Sequence, residues 1–407
     1  MSNFLLLAFL FICSILQQSN ADPNVTFAVV IFRHGDRTII SPYPNDPHKD
    51  SPLWDIGYGQ LTDLGKQEQY ELGQTFRERY KHLLSDDFRH NELYVRTTDF
   101  DRTIMSALSN LAGMYPVKPN TEWLPGIAWK PIPIHSIPLL SDQVLAMKAR
   151  CDKYDYEYDQ LLKGPIYTSM NLEYADIYKY LTLSTGKNIS SIEQVNYLYD
   201  TLKIESMKNL TLPDWTNDLF LIFTLSFLTE TYTPLLARLK AGPLIKEIDQ
   251  TLKYAESGHP IHKVIMYSAH DTTLANVLNG FGLFKMHLPP YAAHLLIELL
   301  PGNFVHPFPY NIPVLDIPQC GKLCPLSKWH ELYSWIMPNC YECECSLTKT
   351  NKVKKSKQIL AKENILQFRM HQKYFEQTLV YFFLINHFSL HNSFHSKCLH
   401  FNVPHLP

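Results

Sequence analysis

The pentapeptide Arg33-His34-Gly35-Asp36-Arg37 sets an imidazole between two guanidinium groups. A neutral imidazole among cations is a good nucleophile toward phosphorus, because the surrounding positive charge suppresses its protonation. The planar guanidinium fork meets two phosphoryl oxygens at once and stays charged. Far along the chain, His270-Asp271 supplies a second imidazole, able to donate to a phosphoryl oxygen, and a carboxyl able to protonate a departing alkoxide. Arg96 offers a third guanidinium. Together these residues imply phosphoryl transfer from a phosphomonoester to His34, with Arg33, Arg37, Arg96 and His270 as phosphate ligands and Asp271 as proton donor. A carboxyl acid predicts an optimum on the acidic side of neutral. Because arginines and histidines supply the charge, the scheme needs no metal and no cofactor.

Both clusters follow short apolar runs. FAVVIF, residues 27–32, and VIMYSA, residues 264–269, are charge-free and read as strands buried on both faces. The loop after such a strand is where open α/β sheets bind ligands. Leu61, Leu64, Leu72, Phe76, Tyr80 and Leu83 recur at helical spacing, with Thr62 as the N-cap. Leu93 to Arg96 reads as a strand, and Asp99 or Asp101 opens the next helix, with its stripe Ile104, Leu108 and Leu111. Alternating strands and helices predict an α/β fold with a mostly parallel sheet flanked by helices. Residues 124–138 hold four prolines, and 141–257 read as helical segments without a convincing strand. The sheet resumes at Val264, with a helix over 272–278 and a strand over 293–300. The expected organisation is an α/β domain over 22–130 and 258–345, split by an all-α cap over 131–257.

The N-terminus is apolar and uncharged to Leu16, then polar, then Ser19-Asn20-Ala21, which reads as a secretory signal over 1–21. Sequons at Asn24, Asn188 and Asn209 agree with export. Of eight cysteines, Cys13 falls in the signal, leaving an odd count of seven. The net charge of −2 hides two regions, because residues 346–407 carry nine Lys/Arg against two Asp/Glu. The acidic remainder excludes a nucleic-acid partner, which needs a broad basic surface. The basic tail over 346–407 reads as disordered, and its apolar run over 379–385 is far below the ~20 residues of a membrane span.

FRHGDR at 32–37, YVRTTDFDRT at 94–103 and IMYSAHDTT at 265–273 resemble the histidine acid phosphatases, most closely the prostatic and lysosomal acid phosphatase branch. The similarity runs from about Phe27 to Cys340 and takes in GYGQLTDLG, WKPIPIHSIPL, LPPYAAHL and CGKLCPL. The resemblance implies a phosphoglycerate-mutase-like fold with an inserted helical cap and the same roles for His34, Arg33, Arg37, Arg96, His270 and Asp271. It also implies a Cys320 to Cys324 disulfide and a long bridge from Cys151 to Cys340, for which Cys343 and Cys345 compete. A further family bridge is missing, with Ile204 and His294 at its two positions, and Ile39 stands where the family has proline. The segment from Trp129 to His135 resembles one at the dimer interface of secreted members, which implies a homodimer, although Trp129 reads equally as core. After Leu300 the family continues into a hairpin partner, whereas Gly302 to Pro309 reads here as the loss of an edge strand.

The leading expectation is an acid phosphatase of the secreted or lysosomal lumen, acting on a small phosphomonoester or phosphotyrosine and lacking a transmembrane anchor. The alternatives are a phytase-like phosphatase and an inactive or weakly active secreted binding protein of the same fold. The spacing Cys340-x-x-Cys343-x-Cys345 suits zinc, but in an oxidising compartment disulfides take precedence.

Overall fold

The computed structural model describes residues 25–118, 121–216, 230–258, 260–285, 287–309 and 316–347, which fall within one compact unit. The segment expected to be a secretory signal, Asn24 and the basic tail from 348 lie outside the described residues.

Strand β1 (Phe27–Arg33) is buried along its whole length. Helix α1 (Asp63–Arg79) follows, and the Thr62 side chain caps it by accepting from the Gly65 amide. Next come β2 (Leu93–Thr98) and α2 (Asp101–Met114). The short β3 (His135–Ile137) leads into α3 (Asp152–Leu162), α4 (Pro165–Glu173), α5 (Ala175–Thr185), α6 (Ile192–Met207), α7 (Pro234–Lys240) and α8 (Gly242–Glu256). Then β4 (Val264–Ala269), α9 (Asp271–Gly280), β5 (His294–Leu300), β6 (Phe304–Pro309), β7 (Cys324–Pro325), α10 (Leu326–Tyr333) and α11 (Tyr341–Cys345) complete the described fold.

The seven strands form one sheet in the order β3-β2-β4-β1-β5-β6-β7. Its β3-β2-β4-β1 half is parallel, and from β1 to β7 every pairing is antiparallel. The α/β fold therefore carries a mixed sheet. Two apolar cores cover its faces: Val29 and Ile31 of β1 join α8, α9 and α10, while Ala28, Val30 and Phe32 join α1 and α2. This alternation along β1 follows from the two-residue period of a strand. Strand β3 pairs with β2, so the sheet claims the first residues of the segment expected to be a helical cap. At the far end of α1, Arg79 and Tyr80 converge on the buried Glu298 of β5, with Arg79 Nε 2.6 Å and Tyr80 Oη 2.9 Å from Oε1.

The expected loss of an edge strand is corrected. Residues 301–303 form a turn in which Gly302 and Asn303 take φ of +79° and +64°, and β6 then pairs antiparallel along β5 from Phe304 to Pro309. Positive φ at two successive turn residues matches the twist of a hairpin. The prolines at 307 and 309 fall where β7, which pairs only with Phe304 and Val305, no longer covers β6. Among the described residues that stretch of β6 is an edge, where proline is admitted and protects against further pairing.

The long disulfide is also corrected. Cys151 bonds to Cys345, with Cα atoms 4.6 Å apart, and Cys340 bonds to Cys343 instead. Burial decides the pairing: Cys345 packs inward with Cys151, Tyr154, Leu236 and Leu239, whereas Cys340 sits at the N-cap of α11, where its sulfur accepts from the Cys343 amide. Cys320 and Cys324 are bonded as expected. All three cysteines of the candidate zinc motif are thus engaged in disulfides.

Two departures from the family pattern meet in space. Ile39 and Ile204 are buried together with Trp54. One apolar contact thereby anchors the loop after Arg37 to helix α6.

Candidate active site

Strands β1 and β4 are adjacent and parallel, with Arg33 opposite Ala269, so the residues that follow them emerge side by side. The rings of His34 and His270 accordingly meet edge to face, with centroids 5.6 Å apart. His34 is 2% exposed. Its Nδ1 lies 2.8 Å from the Gly35 carbonyl oxygen. A carbonyl only accepts, so Nδ1 carries the proton and the Nε2 lone pair is left available. Burial, reinforced by Arg33, Arg102, His270 and Arg37, holds the His34 imidazole well below its ordinary pKa. It is therefore neutral in mild acid.

The loop takes its shape from close backbone approach. A Cβ on Gly35 would lie 2.2 Å from the Gly65 carbonyl oxygen, and one on Gly65 would lie 2.2 Å from that of Asp36. Only paired glycines let the start of α1 press against the loop. Asp36, fully buried, accepts from Thr62 Oγ1 at 2.5 Å and forms an ion pair with Lys208.

Arg33 sends Nη2 to Asp271 Oδ2 at 2.7 Å and Nη1 to the Pro289 carbonyl oxygen, with its guanidinium 4.4 Å above the Tyr291 ring. Arg37 Nη2 is held by both oxygens of Asp200 on α6, at 3.0 and 2.9 Å. Asp271 opens α9, where the helix dipole favours its anion. Burial pushes its carboxyl up, but Arg33, Arg37 and His270 outweigh this and leave it below the usual carboxylate range.

Arg96 is not part of this cluster. Its Nη2 pairs with the buried Asp142 at 2.6 Å and its Nη1 with Glu247 at 3.5 Å. The third guanidinium is Arg102, in the first turn of α2, whose Nη2 lies 3.4 Å from His270 Nδ1. A guanidinium only donates, so His270 Nδ1 accepts and Nε2–H faces Thr98 Oγ1 at 2.9 Å. Burial, then Arg102, pushes the His270 imidazole down to about 3. Burial, then Arg37, lowers the Arg102 guanidinium to about 10, so it remains charged in acid. A readable signal separated the two arginines: Arg96 lies inside β2, whereas Arg102 follows its carboxyl end, where the site must be. Asp200 and Tyr291 had no such signal.

Asn188 and Asn209 are exposed, consistent with acceptor positions. Trp129 is 42% exposed and therefore not core, and His135 stacks on Tyr94 at 5.0 Å on the edge strand β3. Among the described residues, no helix is long and apolar enough to cross a membrane, and no cluster of three or more His, Cys, Asp or Glu could hold a metal ion.

Residues 40–303 match the family described as the histidine phosphatase superfamily, branch 2. The chain belongs to that superfamily. This histidine phosphatase is 34% identical to human prostatic acid phosphatase over 367 residues, which span 85% of the chain and 94% of the relative. It is 32% identical to human lysosomal acid phosphatase over 347 residues, 80% of the chain and 81% of the relative. At this identity over most of its length, the histidine phosphatase is an enzyme of the acid phosphatase class. Among solved structures, the apo phytase of Hafnia alvei superposes with a TM-score of 0.60 over 80% of this chain and 98% of its own, at 19% identity. That likeness supports the fold alone.

Proposed function

We propose that this histidine phosphatase hydrolyses small phosphomonoesters through a phosphohistidine on His34, with Asp271 as proton donor. The observation that carries the reading is the convergence of Arg33, Arg37 and Arg102 on a buried, neutral His34 whose Nε2 lone pair is available. The guanidinium groups bind the phosphoryl oxygens and stabilise the charge that develops during transfer. His34 Nε2 attacks phosphorus as the ester oxygen leaves, and Asp271 gives that oxygen a proton. Water then attacks the phosphohistidine, returning a proton to Asp271 and releasing phosphate.

The charge on Asp271 fits this cycle. In the free enzyme Arg33 keeps the carboxyl ionised; a bound phosphate group diverts Arg33 and Arg37 and adds negative charge nearby, so the carboxyl pKa rises and it gains the proton it must donate. The exposed sequons and the three disulfides support a secreted or lysosomal setting.

The test is hydrolysis of 4-nitrophenyl phosphate between pH 4 and 7, together with rapid acid-free trapping of labelled phosphoenzyme. Turnover and a base-stable, acid-labile phosphoenzyme, both lost in His34→Ala, are expected. A folded protein that turns over no phosphomonoester would instead be the inactive binding protein.

A further inference from the structure

Helix α6 reaches the phosphate cluster with more than Asp200. Lys203 follows one helical turn later, on the same face. It is half-buried, and among the described residues it forms no hydrogen bond or ion pair. Its electrostatic partners are nonetheless those of the site: burial and then Arg33 lower its pKa, while Asp200 and Asp271 raise it. A cation pushed toward Arg33 without a carboxylate of its own is unfavourable in the free enzyme and demands an anion.

The charge around His34 says how much anion. Arg33, Arg37, Arg102 and Lys203 contribute four positive charges, against Asp200 and Asp271. When Asp271 holds the proton it is to donate, Asp200 alone remains negative. A phosphomonoester has its second ionisation near pH ~6 and in mild acid brings between one and two negative charges. The occupied site then retains uncompensated positive charge; Arg33 and Arg37 are held by carboxylates and Arg102 rests against His270, which leaves Lys203 as the cation among the described residues with neither kind of contact.

We propose that Lys203 forms a second anion subsite, so that the preferred substrates are phosphomonoesters bearing a further acidic group, phosphate or carboxylate, close to the reacting phosphate. This rests on the phosphatase reading above. The Asp200 pair fixes Arg37 on the reacting phosphate, while the flexible lysine stem reaches outward to the neighbouring group. Lysine suits this role because its ammonium is a point charge that accepts anions of different shape.

The experiment compares kcat/KM for phenyl phosphate, 3-carboxyphenyl phosphate and 1,3-phenylene bisphosphate in the wild type, Lys203→Met and Lys203→Arg. A charge-assisted contact predicts that the wild type favours the acidic esters over phenyl phosphate by about tenfold, chiefly through KM. That ratio falls to near one in Lys203→Met and is kept in Lys203→Arg. Preference for one acidic ester alone supports the subsite and identifies its ligand as carboxylate or phosphate. Turnover of all three esters with no preference in the wild type, or a preference that survives Lys203→Met, overturns the subsite and leaves the phosphatase standing. Turnover of none overturns both. Because the readout is a ratio within one protein, a general loss of folded enzyme does not imitate the effect.

Discussion

Arg33 Nη2 lies 2.7 Å from Asp271 Oδ2, so the proposed phosphate ligand and the proposed proton donor neutralise each other before substrate arrives. The pairing makes the acid conditional on occupancy. An anion that competes for Arg33 must raise the Asp271 pKa and draw in a proton. Sulfate, which does not titrate in this range, isolates the effect. Calorimetry at pH 5 in two buffers of different ionisation enthalpy is expected to show proton uptake on sulfate binding, reduced in Asp271→Asn. Equal uptake in the two proteins would remove Asp271 from the linkage.

The same residue sets a leaving-group rule. Loss of a general acid costs roughly 10²–10⁴-fold when the departing oxygen needs a proton. Asp271→Asn should therefore cripple hydrolysis of alkyl phosphates and spare 4-nitrophenyl phosphate, whose leaving group departs as an anion. A steeper dependence of kcat on leaving-group pKa in the variant checks this, and parallel dependences would contradict it.

The two arginines of YVRTTDFDRT should fail in opposite ways. Arg102→Ala removes a guanidinium beside His270 and is expected to lower kcat/KM by about 10²-fold or more, with thermal stability nearly kept. Arg96→Ala leaves Asp142 buried without its cation, although that carboxylate still accepts from the amides of Val144, Leu145 and Ala146. Breaking such a buried pair costs about 3–5 kcal/mol. The enzyme that remains folded should keep a kcat/KM within a few-fold of wild type, and urea denaturation with activity measured on the folded fraction separates the two losses.

The contrast also marks what the sequence could tell. Strands β1 and β4 were legible to within a residue because a strand buried on both faces leaves an uninterrupted apolar run, and His34, His270 and Asp271 follow directly from where those runs stop. Arg96 misled because a charged residue inside a buried strand looks functional until its partner is known, and Asp142 lies 46 residues away. Strand β6 was hidden by Pro307 and Pro309, which argue against a strand until it is seen to be an edge. Asp200 and Lys203 belong to a helix whose exposed and buried polar residues are indistinguishable in sequence. Only packing puts α6 against Arg37. The choice of Cys345 over Cys340 likewise depends on burial, which cysteine spacing does not encode.

Gly35 and Gly65 are expected to tolerate no side chain. With a carbonyl oxygen 2.2 Å from either Cβ, the contact cannot be relieved by turning a flexible group, because both partners are backbone. Gly65→Ala must separate α1 from the loop, at a cost of about 1–3 kcal/mol or more, and must move His34 with it. Activity should fall at temperatures where circular dichroism still reports folded protein. Full activity in Gly65→Ala would show that the loop is not held by this contact.

Stability should carry its own pH signature, centred on Glu205 of α6. Glu205 is fully buried, both of its carboxylate oxygens lack a donor, and Asp46 Oδ2 is equally unsatisfied. Burial, then the charge of Asp46, pushes Glu205 up to about 8. The folded state thus binds a proton that the unfolded chain has released above the ordinary carboxylate range. The resulting stabilisation is complete in acid and is lost as pH rises toward 8. His34, His270 and His294, whose pKa values burial lowers, act with the opposite sign, adding stability above the ordinary imidazole range that is lost on acidification. The raw curve is therefore a dome, and the informative quantity is the difference between wild type and Glu205→Gln. Glutamine mimics the protonated acid at every pH, so the variant should lose less Tm than wild type between pH 5 and pH 8. Each unit of pKa displacement is worth about 1.4 kcal/mol, which for a chain of this size gives a gap of a few °C. Scanning calorimetry across that range measures it, and identical slopes would mean that Glu205 and Asp46 do not share a proton in the folded enzyme.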